Sequence, residues 1–310
     1  MNSLTDTLEQ IERMADSELR QRVFWIGGHG PDPGPAYSHQ IEALRRIELG
    51  ATASPPVSGV LHYPTGAGKT RVGLELIARA LKEDPTHRFV WATHTKNLIR
   101  QSMERMAELS RLFPRETTFS WARDADDTED DEHDVHTLFM TRDTLTKVLD
   151  RAGDRRRAHP WRQRLEDRTR MTLIYDECHQ LGAEKLQKSM RKFYEAAVTP
   201  ARTKPRPWRL IGLSATPVPT QASAHRLLAE QVFPLRDDAP SMNQDWPFHI
   251  VHRVHNEALV QSGVLCPLNL YLDKQGDFDI PAPLLRKTIG DAHLRPPGAH
   301  ADKVLVQQYA

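Results

Sequence analysis

The sequence predicts an α/β fold: a mostly parallel sheet with helices on both faces, preceded by a helical N-terminal segment. Three observations carry that expectation. Strand-like and helical patterns alternate from Val57 through Pro217, the arrangement that buries a parallel sheet between two helical layers. A short glycine loop, PTGAGKT at residues 64–70, joins a strand-like run, Val57 to Tyr63, to a helical one, Lys69 to Leu81. An apolar run with β-branched and aromatic members, Met171 to Tyr175, reads as a buried strand and ends in Asp176-Glu177-Cys178-His179.

From the N terminus, residues 3–25 read as an amphipathic helix, with Leu4, Leu8, Ile11 and Ala15 on one stripe. Glycines and prolines from Gly27 to Pro35 make a loop. A helix carries Gln40 to Leu49, and Ala51 to Pro56 is a linker. The expected strands are 57–63, 88–94, 117–121, 135–141, 171–176 and 208–214, and there is no internal repeat. As domains, this gives an N-terminal helical segment over 1–50, a central α/β domain over 51–235 and an extension over 236–310.

The glycine loop has the context of a phosphate-binding P-loop. Gly66 and Gly68 let the backbone turn tightly and approach a phosphate with no Cβ in the way. N–H groups at the helix start then face the anion, and the helix dipole favours it. Lys69 can reach β- and γ-phosphates, and the Thr70 hydroxyl can bind Mg²⁺. Thr65, Gly66, Ala67, Gly68, Lys69 and Thr70 are therefore the candidate nucleotide-binding loop. The strict G-x-x-x-x-G-K-[ST] pattern would put its first glycine at Tyr63, so this loop departs from it.

Residues just past the carboxyl end of a parallel strand face the ligand crevice. Asp176 can hold the Mg²⁺ there, and Glu177 can polarise the water that attacks the γ-phosphate. Downstream, Leu213-Ser214-Ala215-Thr216-Pro217 comes after another strand. Ser214 and Thr216 are candidates to hydrogen-bond His179 and link the nucleotide site to a distant surface.

Composition narrows the classes. A length of 310 residues suits one large domain or two small ones. Cys178 and Cys266 are the two cysteines, giving neither a disulfide framework nor a C-x-x-C zinc pair. Cys178 reads as a small buried residue rather than a nucleophile. The first thirty residues carry no signal peptide, and no run approaches the ~18 apolar residues of a membrane span. A cytoplasmic protein without membrane contact is expected. The net charge of +1 says little, because a nucleic-acid track needs only local basic charge.

That charge is unevenly spread. Residues 123–134, RDADDTEDDEHD, form an acidic block that reads as a mobile loop, or as a mimic covering a basic track. Residues 151–170 carry arginines around Trp161, which suits either a solvated helix or nucleic acid. His249, His252 and His255 do not share a face on a strand, and no metal site is expected from them.

PTGAGKT, DECH and SATP, in that order, resemble the first RecA-like motor domain of a superfamily two helicase or translocase, of the DEAH-like, restriction-subunit type. The resemblance runs from about Tyr37 to Pro267 and implies a P-loop NTPase using ATP and Mg²⁺, with Lys69, Asp176, Glu177 and His179 catalytic. Gln40 resembles the upstream glutamine that reads the adenine edge. WATHTKNLIRQ, with Thr93, His94, Lys96 and Gln101, and FMTRDTL, with Thr141 and Arg142, resemble segments that touch a nucleic-acid backbone. Glu257 to Pro267 resembles the exit from the first motor domain in restriction-type DNA translocases, which implies DNA rather than RNA and a restriction, repair or anti-phage complex. In this family ATP sits between two motor domains, and the second supplies arginines to the transition state. The stretch after Pro267 is too short for such a domain. A second motor domain is thus expected in a missing part of the chain or in another subunit. The alternative is a non-catalytic, nucleotide-gated interaction subunit that keeps the fold. The intact Lys69, Thr70, Asp176 and Glu177 speak against it. A small-molecule kinase leaves SATP and Gln40 without a purpose.

Overall fold

All six expected strands form in the computed structural model, which describes residues 4–15, 19, 23–28, 30–52, 57–122, 135–150, 171–179, 188, 208–216, 232–233 and 248–265. They are β2 (Gly59–His62), β3 (Arg88–Thr93), β4 (Thr117–Trp121), β5 (Thr137–Thr141), β6 (Met171–Asp176) and β7 (Trp208–Ser214). Two further strands, β1 (Val23–Ile26) and β8 (Ile250–Arg253), complete one eight-stranded sheet in the order β1-β4-β5-β3-β6-β7-β2-β8. Among the described strands only β1 runs antiparallel, against β4, with Val23 opposite Ser120. The acidic block 123–134, the arginine-rich segment 151–170, Pro217, Cys266 and Pro267 lie outside the described residues.

The expected helix over 3–25 is corrected. Helix α1 spans Leu4–Arg13, and Val23–Ile26 is a strand instead. Val, Phe, Trp and Ile are residues that fit a pleated, half-buried surface. Pairing with β4 and stacking of Phe24 on Phe119, ring centroids 5.2 Å apart, settle the choice. The linker expected from Ala51 begins later, because helix α2 runs Ser38–Ala51.

The parallel strands are buried on both faces, and β6, for one, reads accordingly as a mostly apolar run, whereas β4 buries Thr117, Thr118 and Ser120 beside Phe119 and Trp121. Helix α3 (Lys69–Glu83) turns Val72, Leu76, Ile77 and Leu81 inward, and Gly73 sits against the Trp91 indole. Helix α4 (Lys96–Glu108) buries Ile99, Met103 and Met106, and Thr95 caps it by accepting from the Leu98 N–H at 3.3 Å. Helix α5 (Arg142–Asp150) comes directly after β5. Gly59 lets β8 lie close to β2, since a Cβ there would stand 2.5 Å from Val251 Cγ2. The buried Arg209 of β7 donates to the Ile47 carbonyl in the last turns of α2, where the helix dipole favours a cation.

The chain divides into two compact units, Met1–His255 and Asn256–Ala310. The first holds the whole sheet. In the second, helix α6 (Asn256–Gln261) closes with Val264 and Leu265 N–H groups donating to the Leu259 carbonyl, at 2.9 and 3.1 Å. Among the described residues, no helix is long and apolar enough to cross a membrane.

Candidate nucleotide site

Parallel strands deliver their carboxyl ends to one side of the sheet, so five segments meet there. They are the glycine loop after β2, residues 93–96 after β3, residues 141–142 after β5, residues 176–179 after β6 and residues 214–216 after β7.

In the loop, Gly66 and Gly68 both take the left-handed backbone, with φ of +82° and +84°. Gly68 is the N-cap of α3, no side chain caps that end, and the first turn carries no acid. The helix start therefore presents N–H groups and positive dipole with no anion of its own, which is a seat for phosphate. A Cβ on Gly68 would stand 2.2 Å from the Gln40 amide nitrogen. Gln40 is buried and donates from Nε2 to the Ala67 carbonyl at 3.2 Å, while its Oε1 accepts from the Tyr37 N–H at 3.0 Å. The upstream glutamine is thus bonded to the loop itself. Thr65 is exposed, and Thr70 is the half-buried second residue of α3.

Lys69 is only 9% exposed. Its ammonium folds back on the loop, donating to the carbonyls of Tyr63 at 3.2 Å and Pro64 at 3.5 Å. Burial pushes its pKa down, and the nearby Glu177 and Asp176 carboxylates oppose that. Asp176 is buried, and its Oδ1 accepts from the Glu177 N–H at 3.1 Å. Desolvation first, then the Glu177 charge, push its carboxyl up to about 6, with Lys69 pulling the other way. Two carboxylates beside one buried ammonium form a hard-oxygen donor set that a divalent cation would satisfy. Glu177 has φ of +57°, the one non-glycine residue in that region among the described residues.

His179 Nδ1 lies 3.1 Å from Ser214 Oγ and 3.4 Å from Glu177 Oε2. Ser214 Oγ also accepts from the Thr216 N–H at 3.1 Å. The strand before the loop joins this network. Tyr63 N–H donates to the Ser214 carbonyl at 3.0 Å, and His62 Nε2 donates to the Ala215 carbonyl at 3.1 Å. Cys178 is fully buried on Gly212, and burial pushes its thiol up, as expected for a packing residue.

The residues expected to meet nucleic acid lie on the same side of the sheet with unequal exposure. Lys96 and Gln101 are exposed on α4, and Arg142 opens α5 with Nε 3.4 Å from Asp143 Oδ1. Thr93 is fully buried, and Thr141 accepts from the Thr144 N–H at 3.2 Å. His94 is half-buried with a buried Nδ1. Sequence reasoning missed His62 and gave no role to Tyr63, which stood only as the departure from the pattern's first glycine, or to His252, which stood only among three histidines set aside as metal ligands.

The electrostatics of Asp176 make a prediction about stability. Its folded pKa lies above the ordinary value of 3.8, so the fold favours the protonated acid. That contribution is complete below about pH 4 and is lost as pH rises through about 6, a swing of about 3 kcal/mol at most. In metal-free solution the Asp176→Asn protein is expected to be roughly 1–3 kcal/mol more stable than wild type at pH 7.5. Urea unfolding at pH 5 and 7.5 in chelator checks this. Equal stability of the two proteins at pH 7.5 would mean that the carboxylate carries no burial penalty.

A family model described as type III restriction enzyme, res subunit, matches residues 35–219. No curated protein matches the chain. Among solved structures, the Sulfolobus solfataricus SWI2/SNF2 ATPase core in complex with dsDNA is 15% identical, with a TM-score of 0.43 over 63% of this chain and 35% of that one. The UvsW helicase from bacteriophage T4 is 18% identical, with a TM-score of 0.41 over 69% of this chain and 60% of that one. The chain therefore spans less than two thirds of either.

Proposed function

From a chain that belongs to the type III restriction enzyme res-subunit family, a first motor domain of superfamily two helicase type, we propose an ATP-hydrolysing DNA translocase domain that works with a second motor domain. The observation that carries this reading is the meeting of Lys69, Asp176, Glu177 and the Ser214–Thr216 turn at one edge of the sheet. In the proposal the ATP phosphates seat on the N–H groups of 66–70, and Lys69 releases the Tyr63 and Pro64 carbonyls to reach them. Thr70 and Asp176 would hold Mg²⁺, which would supply positive charge to offset that of the phosphates. Glu177 takes the proton from the attacking water. His179 passes the state of Glu177 to Ser214.

DNA is proposed to run along the loops that carry His94, Lys96 and Arg142. A nucleic-acid backbone suits the positive charge of Lys96 and Arg142. The motor domain proper is proposed over 51–235, its sheet extended by β1 and β8 from outside those bounds, with 236–310 leading to its partner. The arginines that stabilise the transition state would come from that partner. Restriction, repair or anti-phage defence is the proposed setting.

ATP turnover by the purified chain tests the reading, with and without single-stranded and duplex DNA. DNA is expected to raise turnover, and a supplied second motor domain to raise it further. ATP bound but never turned over, even with that domain supplied, would point instead to the nucleotide-gated interaction subunit.

A further inference from the structure

Tyr63 is fully buried where the loop pattern has its first glycine. Its Oη lies 2.6 Å from the His39 carbonyl oxygen and 2.8 Å from His252 Nδ1. A carbonyl only accepts, so the phenol proton goes to His39, and His252 must donate from Nδ1 to Tyr63. His252 is buried on β8 and held neutral near neutral pH, mainly by desolvation and then by the Arg46 charge. The same reasoning puts a proton on His39 Nε2, which donates to the Ala67 carbonyl at 3.0 Å. Gln40 donates to that same carbonyl.

Hydrogen bonds thus run in one direction from β8, through the Tyr63 phenol, to the backbone that carries Gln40. From that backbone the His39 and Gln40 side chains continue onto the loop. Rings take the same course. Tyr37 stacks on His39 at 5.7 Å with planes 9° apart, His39 tilts against Tyr63 at 5.3 Å, and Tyr63 meets His252 edge-on at 5.6 Å.

The phosphate seat needs none of this, since it is made of loop N–H groups and Lys69. The run of bonds instead fixes the height of residues 37–40 over Ala67. We propose that Tyr63, anchored by His252, is a positioning residue that sets the site's preference for one nucleobase. It does so by holding the His39–Gln40 backbone in register with the P-loop. The proposal rests on the ATP-binding reading above. In this proposal the Gln40 amide, tied to Ala67 and Tyr37, offers its remaining N–H and lone pair to the base edge, and a site built to hydrogen-bond an edge rejects the wrong edge only while that amide stays in place.

The test is calorimetric titration of the intact chain with ATP, GTP and tripolyphosphate in Mg²⁺. Tyr63→Phe keeps the ring and removes both bonds. It is expected to narrow the ATP-over-GTP ratio by about 3- to 10-fold, the span of one net hydrogen bond, and to leave tripolyphosphate affinity unchanged. His252→Leu is expected to do the same. His252→Asn, whose amide N–H replaces Nδ1–H, is expected to keep the wild-type ratio. An unchanged ratio in Tyr63→Phe, an equal loss of ATP and tripolyphosphate, or a wild type indifferent to the base would overturn the positioning role alone. A wild type that binds no ATP would overturn the ATP-binding reading along with it.

Discussion

Lys69→Ala is expected to cut ATP affinity by roughly 10²- to 10⁴-fold, the worth of one or two charge-assisted hydrogen bonds to phosphate. The protein should stay folded. Lys69 is almost fully buried, and its present partners are two backbone carbonyls rather than a bonded carboxylate. Removing it therefore takes away a desolvated cation along with two bonds, and those effects oppose each other. Thermal unfolding without nucleotide should move by only a few degrees. Addition of ATP and Mg²⁺ should then raise the midpoint of the wild type and not that of the variant. Undiminished ATP binding by the variant would show that the phosphate seat lies elsewhere.

Glu177→Gln carries the second large effect: turnover lower by about 10²- to 10⁴-fold with ATP still bound. Glutamine keeps the shape of the side chain and cannot take a proton from water. The backbone at this position adds a sharper expectation. Glu177 holds a left-handed conformation, which costs a side-chain-bearing residue about 1 kcal/mol relative to glycine. Glu177→Gly should be as inactive as Glu177→Gln yet more stable to urea by about that amount. That is the pattern of a residue kept for its chemistry against the preference of its backbone. Single-turnover kinetics beside urea melts would read both numbers. A glycine variant less stable than wild type would mean that the carboxylate, through His179, is a structural strut.

The sheet was legible wherever a strand was long and apolar. Met171–Asp176 and Trp208–Ser214 stand at their expected bounds, because burial on both faces leaves mostly apolar runs in the chain, broken only by Thr172 and Arg209 before the polar ends. The two strands that were not legible have four residues each. Val23–Ile26 comes after a helical stripe that ends at Arg13. Ile250–Arg253 pairs with a strand some 190 residues earlier, with an irregular register at Val60 and Leu61. No local periodicity records such a partner. The site was legible in its loops, since glycine spacing and acid pairs are local patterns. The left-handed Glu177 was not, nor was the Tyr63–His252 bond, because each is set by neighbours distant in the chain.

That distance also sets an order of events in the making of the protein. Strand β2, which carries the P-loop, pairs only with β7 and β8, and β7 begins about 150 residues later. On the ribosome, β3, β4 and β5 can find one another while β2 still has no neighbour. Helix α3 is synthesised early and must wait for the far end of the sheet before its first turn is fixed. Pairings this remote close slowly, and an unpaired apolar strand is exposed in the interval. Nucleotide gains little hold in the early steps, for Asp176, Glu177 and the turn after β7 come beside the loop only when the later strands dock. The nucleotide pocket is therefore among the last parts of the molecule to be born, and a chain cut short before Trp208 would have the loop without the pocket.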